Sequence, residues 1–154
     1  MASEVDKGFD KVLSTWGRLI IRALKREVQE DDSIASRDLL QSIGFDPIRE
    51  GDNQIAIRMA EHWKFVDKGR KPGKRPPMQP IQEWIARKGI PLNGRGAKKN
   101  QARTLAFFIA RKIGREGTRP TNFVEHALTQ KFKNDMKRSI SKHLGKNIKL
   151  AITT

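Results

Sequence analysis

The sequence predicts an α+β fold in which a small, mainly antiparallel sheet is packed by a long N-terminal and a long C-terminal helix, with two shorter helices. Three patterns carry that prediction. Apolar residues recur at spacings of three and four from about residue 3 to residue 29. Two short segments between residues 43 and 59 alternate apolar with polar, and a four-spaced apolar series runs through residues 124 to 144. Spacings of three and four mark one face of a helix, whereas alternation marks a half-buried strand. The 154 residues suit a single domain, 1–154, long enough to bury a core.

The first stripe comprises Val5, Phe9, Val12, Leu13, Trp16, Leu19, Ile20, Ala23, Leu24 and Val28. Gly8 and Gly17 interrupt it, each at about 1 kcal/mol relative to alanine, so close backbone packing is expected there. Glu30-Asp31-Asp32 have the wrong sign for a helix C-terminus and are assigned to the turn that follows. Ser36 is placed as the N-cap of a short helix ending at Ser42. Segments 43–49 and 54–59 then form a hairpin around Glu50-Gly51-Asp52-Asn53. Pro47 puts the first strand at an edge or a bulge. A third extended piece is expected at 62–66.

Beyond the Gly/Pro-rich loop 69–77, Pro80 suits the first turn of a helix, Gly89 its stop and Pro91 the position just beyond. Ile81, Trp84 and Ile85 form its apolar face. Residues 93–100 read as a basic flexible loop. A helix from about Ala102 to Arg115 turns Leu105, Phe108, Ile109 and Ile113 inward and Arg103, Arg111 and Arg115 outward. Asn122 and Glu125 have the spacing of a capping box and open the C-terminal helix, whose apolar series is Val124, Leu128, Phe132, Met136, Ile140 and Leu144. A strict spacing of four drifts around a straight helix, so the stripe curves round a core or serves more than one partner. Ile148, Leu150 and Ile152 alternate as a final strand that either completes the sheet or reaches a neighbouring subunit.

Charge is distributed unevenly. Residues 1–69 hold 11 Lys and Arg against 13 acids, whereas residues 70–154 hold 21 against 4, and the chain carries +15 overall. Such asymmetry points to an anionic partner, either nucleic acid or an acidic protein surface. Lys71, Lys74, Arg75, Arg95, Lys98 and Lys99 are the candidate contacts. The alternative is a solvated basic face that serves solubility alone.

Motifs for catalysis are lacking. Without cysteine there is no disulfide, thiol nucleophile or cysteine-ligated zinc. His62, His126 and His143 never fall at a zinc-ligand spacing, and no phosphate-cradling glycine loop precedes a Lys-Ser/Thr pair. A nuclease needs clustered carboxylates to hold Mg²⁺. Asp46, Asp52, Glu61 and Asp67, with Lys64 and Lys68 nearby, are the residues to suspect, although their spacing matches no nuclease pattern. Trp16 and Trp84 fall on apolar helix faces suited to core packing, and Trp63 is the third candidate for base stacking. The helix pair within 80–115 is joined by a segment longer than a helix-turn-helix uses. No enzyme and no cofactor is expected. The N-terminus lacks the basic start and apolar run of a signal peptide. The longest apolar run, 105–110, falls far short of the roughly 20 residues of a membrane span, so a soluble protein with no membrane partner is expected.

Four pieces follow one another in a fixed order: Ser36-Arg37-Asp38-Leu39-Leu40-Gln41-Ser42-Ile43, Phe65-Val66-Asp67-Lys68-Gly69-Arg70, Trp84-Ile85-Ala86-Arg87-Lys88-Gly89, and Gly117-Thr118-Arg119-Pro120-Thr121-Asn122-Phe123. Their order resembles small minor structural proteins of tailed bacteriophages, the neck or tail-completion proteins between head and tail. The resemblance implies a non-enzymatic virion part that joins the head or connector to the tail, as a ring of identical subunits around the DNA channel. Its implied partners are copies of itself, connector or head-completion proteins, tail proteins and the genome DNA in the channel. Its implied location is the virion, with assembly in the host cytoplasm. The alternative reading is a basic nucleic-acid-binding protein acting through residues 70–154 without sequence specificity.

Overall fold

In a computed structural model, which describes residues 4–31, 36–46, 54–144 and 149–153, the fold class is α+β as predicted. The chain forms two compact units. Met1–Asp32, Ser36–Trp63 and Asn122–Thr154 make the first, and Ser33–Ala35 with Lys64–Thr121 make the second.

The first unit is built on helix α1 (Glu4–Asp31), which packs against α2 (Ser36–Ser42), α6 (Phe123–Ala127), α7 (Gln130–Leu144) and the strands β1 (Gly44–Phe45) and β2 (Gln54–Arg58). Phe9, Leu13, Ile20, Leu24 and Val28 are buried along its predicted stripe, whereas Leu19 reaches solvent. Gly17 explains its own presence: a Cβ there would lie 3.0 Å from the Phe45 ring. Among the described residues, nothing lies within 4 Å of where a Cβ on Gly8 would stand, so close packing explains only one of the two glycines. Glu30 and Asp31 extend the helix instead of forming the turn after it, and they keep the unfavourable sign at its end.

The short helix α2 spans the predicted residues; its cap at Ser36 lies outside the described side chains. The Ser42 hydroxyl donates to Leu39 O at 2.8 Å and accepts from the Ala60 N–H at 2.8 Å, tying the end of α2 to the chain leaving β2. β1 and β2 pair antiparallel with Gly44 opposite Arg58 and Phe45 opposite Ile57. Ile55 and Ile57 are fully buried on one side of β2. Pro47 and the hairpin loop lie outside the described residues. β3 (Lys149–Thr153) completes the sheet beside β2, and this pair is parallel, from Gln54–Lys149 to Arg58–Thr153. The sheet is therefore mixed, in the order β1-β2-β3. A parallel neighbour requires a long crossover, which the helices between β2 and β3 provide.

The C-terminal helix departs from expectation in two ways. It is broken between α6 and α7, where Leu128 leaves helical geometry and Thr129 restarts it. The Thr129 hydroxyl accepts from the Phe132 N–H at 3.2 Å and its carbonyl from the Lys133 N–H at 3.0 Å, an N-cap arrangement. The break relieves the drift of the four-spaced series, letting Phe123, Ala127, Leu128, Met136 and Ile140 all be buried. The capping box does not form. Asn122 sits in the left-handed region (φ 51°) with no side-chain cap bond, a conformation asparagine tolerates better than most residues. Trp16 meets the Phe132 ring edge-on at 5.5 Å.

In the second unit, the expected extended piece at 62–66 is helical: α3 spans Trp63–Lys68, Trp63 being the last residue of the first unit. Adjacent Val66 and Asp67 are both buried, which a helical turn permits and strand alternation does not. Helix α4 (Met78–Lys88) packs on α5 (Lys98–Glu116) around Ile81, Ile85, Ala106 and Ala110. Gly89 ends α4 in the left-handed conformation. Its N–H donates to Ala86 O and the Ile90 N–H to Ile85 O, the paired bonds of a Schellman motif. Trp84 packs on this core, as its position on the apolar face predicts. Helix α5 begins earlier than expected, so Lys98, Lys99 and Asn100 belong to the helix and not to the loop. Small Ala106 and Ala110 let α4 approach closely, and Phe108 consequently points outward, 56 % exposed.

Gly17→Val should destabilise the protein by about 1–3 kcal/mol, the usual result of overpacking, whereas Gly8→Ala should stabilise it by up to about 1 kcal/mol. Urea unfolding followed by circular dichroism measures both.

Candidate functional site

Two of the ordered sequence pieces meet in the second unit. Residues 65–75 and 113–121 lie against each other through an antiparallel bridge between Arg70 and Thr118. The Arg70 N–H donates to Thr118 O (3.2 Å) and to its hydroxyl (2.9 Å), and the Thr118 N–H returns a bond to Arg70 O (2.8 Å). To one side, the Gly73 N–H donates to Gly114 O at 2.7 Å. To the other, the Thr121 N–H (3.2 Å) and hydroxyl (2.9 Å) both donate to Val66 O.

Glycine makes this approach possible. Gly69 has φ +73° and Gly117 φ +76°, conformations that cost other residues about 1–3 kcal/mol. A Cβ on Gly69 would overlap Thr118 O, and one on Gly117 would overlap Arg70 O. A Cβ on Gly114 would stand 2.8 Å from Arg75 Cγ and 3.2 Å from Gly73 O. Asp67, 1 % exposed, is buried beside this clasp with Lys68 Nζ at 3.1 Å.

Basic and aromatic side chains surround the clasp. The Arg70 guanidinium donates to Lys74 O at 2.8 Å and lies 5.8 Å from the centre of the Phe65 ring. Arg75 lies 5.4 Å from the centre of Phe107, and Phe107 meets Phe108 edge to face at 5.9 Å. All three rings are substantially exposed. At the end of α5, Glu116 accepts from Arg115 at 2.5 Å and has Lys112 at 4.0 Å. The Arg115 hydrogen bond, with the charges of Arg115 and Lys112, holds its carboxyl below the usual range against desolvation. This contribution is present above the ordinary carboxylate pKa and is lost as pH falls through the lowered value.

The six predicted anion contacts are all exposed, and they form two groups. Lys71, Lys74 and Arg75 lie by the clasp, near Gly114 toward the end of α5. Lys98 and Lys99 open the same helix, with Arg95 in the loop before it. At 1.5 Å per residue the two groups stand about 24 Å apart along α5. That loop is anchored by Gln101, whose amide donates to Gly94 O and Gly96 O, both at 2.6 Å, while its oxygen accepts from the Gly94 N–H at 3.1 Å. Lys98 and Lys99 add positive charge to the positive end of the helix dipole. The second unit, by its residues, holds 16 Lys and Arg against 3 acids, so most of the chain's excess charge resides in this one body.

The carboxylates suspected of metal binding are dispersed. Asp46 pairs with Arg58 at 2.6 Å in the first unit, Glu61 is exposed there, Asp67 is buried in the second, and Asp52 lies outside the described residues. Among the described residues no three His, Asp or Glu side chains are grouped to hold a metal ion, and no helix is long and apolar enough to cross a membrane. The exposed aromatics Phe65, Phe107 and Phe108 went unrecognised in the sequence. For the α5 pair a signal is present: neighbouring Phe107 and Phe108 lie about 100° apart on a helix, so one narrow apolar face does not hold both with Leu105 and Ile109.

Comparison with protein-family models, with curated proteins and with solved structures gives no match to this chain.

Gly69→Ala and Gly117→Ala should each destabilise the protein by more than the roughly 1–3 kcal/mol of backbone strain alone, because a carbonyl oxygen occupies the Cβ position. Thr118→Val removes only the hydroxyl acceptor and should cost about 1 kcal/mol. Chemical denaturation of the three variants tests this ranking.

Proposed function

We propose that this chain is a non-enzymatic virion structural protein that joins the phage head or connector to the tail, as a ring of identical subunits around the DNA channel. One observation supports the reading most. Residues 65–70 and 117–121, which belong to two of the four pieces whose order carries the resemblance to neck proteins, form one glycine-dependent backbone clasp. The residues in that order thus specify a shape, as expected of an assembly part. In this reading the whole chain acts as one head–tail joining domain and needs no cofactor. It contacts connector or head-completion and tail proteins, and it resides in the virion after assembly in the host cytoplasm.

The charge of the second unit favours a second reading, a nucleic-acid-binding protein that works through residues 70–154 without reading sequence. Phosphate contacts release counterions, so affinity in that case falls steeply with salt and is alike for unrelated duplexes.

Reversing charge at Lys71, Lys74, Arg75, Lys98 and Lys99 should reduce joining of purified heads to tails by at least about tenfold while leaving the melting temperature within a few degrees, because surface changes seldom exceed about 0.5 kcal/mol each. Electron microscopy and infectious titre of reconstituted particles provide the readout. Undiminished joining by the reversed variant counts against the neck reading. Tight, salt-sensitive binding of the native protein to any duplex, together with undiminished joining, supports the second. Incubation of the protein with supercoiled DNA in Mg²⁺ or Mn²⁺ tests the non-enzymatic assignment. Cleavage lost in Asp67→Ala would overturn it.

A further inference from the structure

The exposed face of α5 carries an aromatic pair enclosed by cations. Phe107 and Phe108 are 41 % and 56 % exposed, and Arg75 lies over Phe107. Arg103 and Arg111 stand one turn to either side of Phe107, and no acid occurs in α5 before Glu116. Exposed aromatics set among arginines have the composition of protein–protein hot spots. The rings are poorly arranged as a platform for successive bases. They are inclined at 71° to each other, and Arg75 occupies the neighbourhood of one ring.

A complementary surface exists on the same chain. The last turn of α1 has no basic residue and carries Glu30 and Asp31, both exposed. Acids at a helix C-terminus face the negative end of the dipole and are unfavourable unless a cation neutralises them. We propose that the α5 face of one copy docks on the acidic end of α1 in the next copy, with Phe107 and Phe108 as apolar anchors and Arg103 and Arg111 as partners of Glu30 and Asp31. The two surfaces differ, so the contact is head-to-tail, the kind that closes rings. At physiological salt the repulsion between two positively charged copies is screened beyond about 8 Å, whereas ion pairs in contact are screened less. The proposal rests on the ring reading and names the surfaces that form the ring.

The test is a charge swap on the full chain, read by sedimentation velocity and mass photometry. Arg103→Glu with Arg111→Glu, and separately Glu30→Lys with Asp31→Lys, should each raise the concentration needed for assembly by at least about tenfold. Mixing the two variants should restore assembly, because each then presents the surface its neighbour lacks. The variant combining all four changes should assemble as well. Phe107→Ser with Phe108→Ser, which leaves every charge in place, should also disrupt assembly, with unchanged circular dichroism confirming the fold. Native rings that persist in all of these variants, or a mixture that stays dissociated, overturn this contact and leave the ring reading standing. A native protein that stays monomeric at all concentrations removes both.

Discussion

Backbone can lie directly on backbone only where no side chain intervenes, and the second unit depends on that constraint. Gly69 and Gly117 each place a Cα hydrogen where any other residue would drive a Cβ into the opposing carbonyl. The hydrogen bonds of the Arg70–Thr118 bridge follow from that approach. Arg70 stands at that bridge, and its guanidinium donates to the Lys74 carbonyl within the same loop. Gly114 extends the same constraint into the last turns of α5, where the stem of Arg75 packs against the glycine and its guanidinium lies by Phe107. The loop is rich in glycine, proline and charge, yet its course is set by a close contact between segments far apart in sequence.

The aromatic and basic side chains around the clasp are arranged in consequence. Arginine over an exposed phenylalanine keeps a ring presentable in water, because the cation attracts the ring face while remaining hydrated itself. Fifteen of the sixteen cations of the second unit are exposed and the other, Arg70, is half-buried. Their mutual repulsion works against the compact state. The α4/α5 core around Ile81, Ile85, Ala106 and Ala110 supplies the opposing packing.

Elements governed by local periodicity were legible in the sequence. The α1 stripe, the α4 helix with its Gly89 stop and the β1–β2 pairing follow from spacing and from residues with one conformational use. Legibility failed where local signals were ambiguous or where the deciding contact was remote. Residues 62–66 form too short an apolar run to separate strand from helix, and burial of both Val66 and Asp67 decided for helix. Phe108 was expected inward because it is apolar, but alanines 106 and 110 hold the inner face. The Thr129 cap is hidden in the sequence because the apolar series runs on through it. The glycines and the basic residues of the candidate site were visible as residue types. Their meeting was not, since Arg70 and Thr118 are 48 positions apart.

The division of the chain also has a bearing on synthesis. The second unit is nearly one continuous stretch, Lys64–Thr121, whereas the first is assembled from segments on either side of it. On a ribosome the clasp and the α4/α5 core have all their residues once Thr121 has emerged. At that point β2 still lacks its parallel neighbour, because β3 follows Thr121 in the chain. Vectorial synthesis therefore allows the basic body to close before the sheet is complete. The edge of β2 stays open until β3 is made, and an open strand edge exposes a nascent chain to wrong strand pairing.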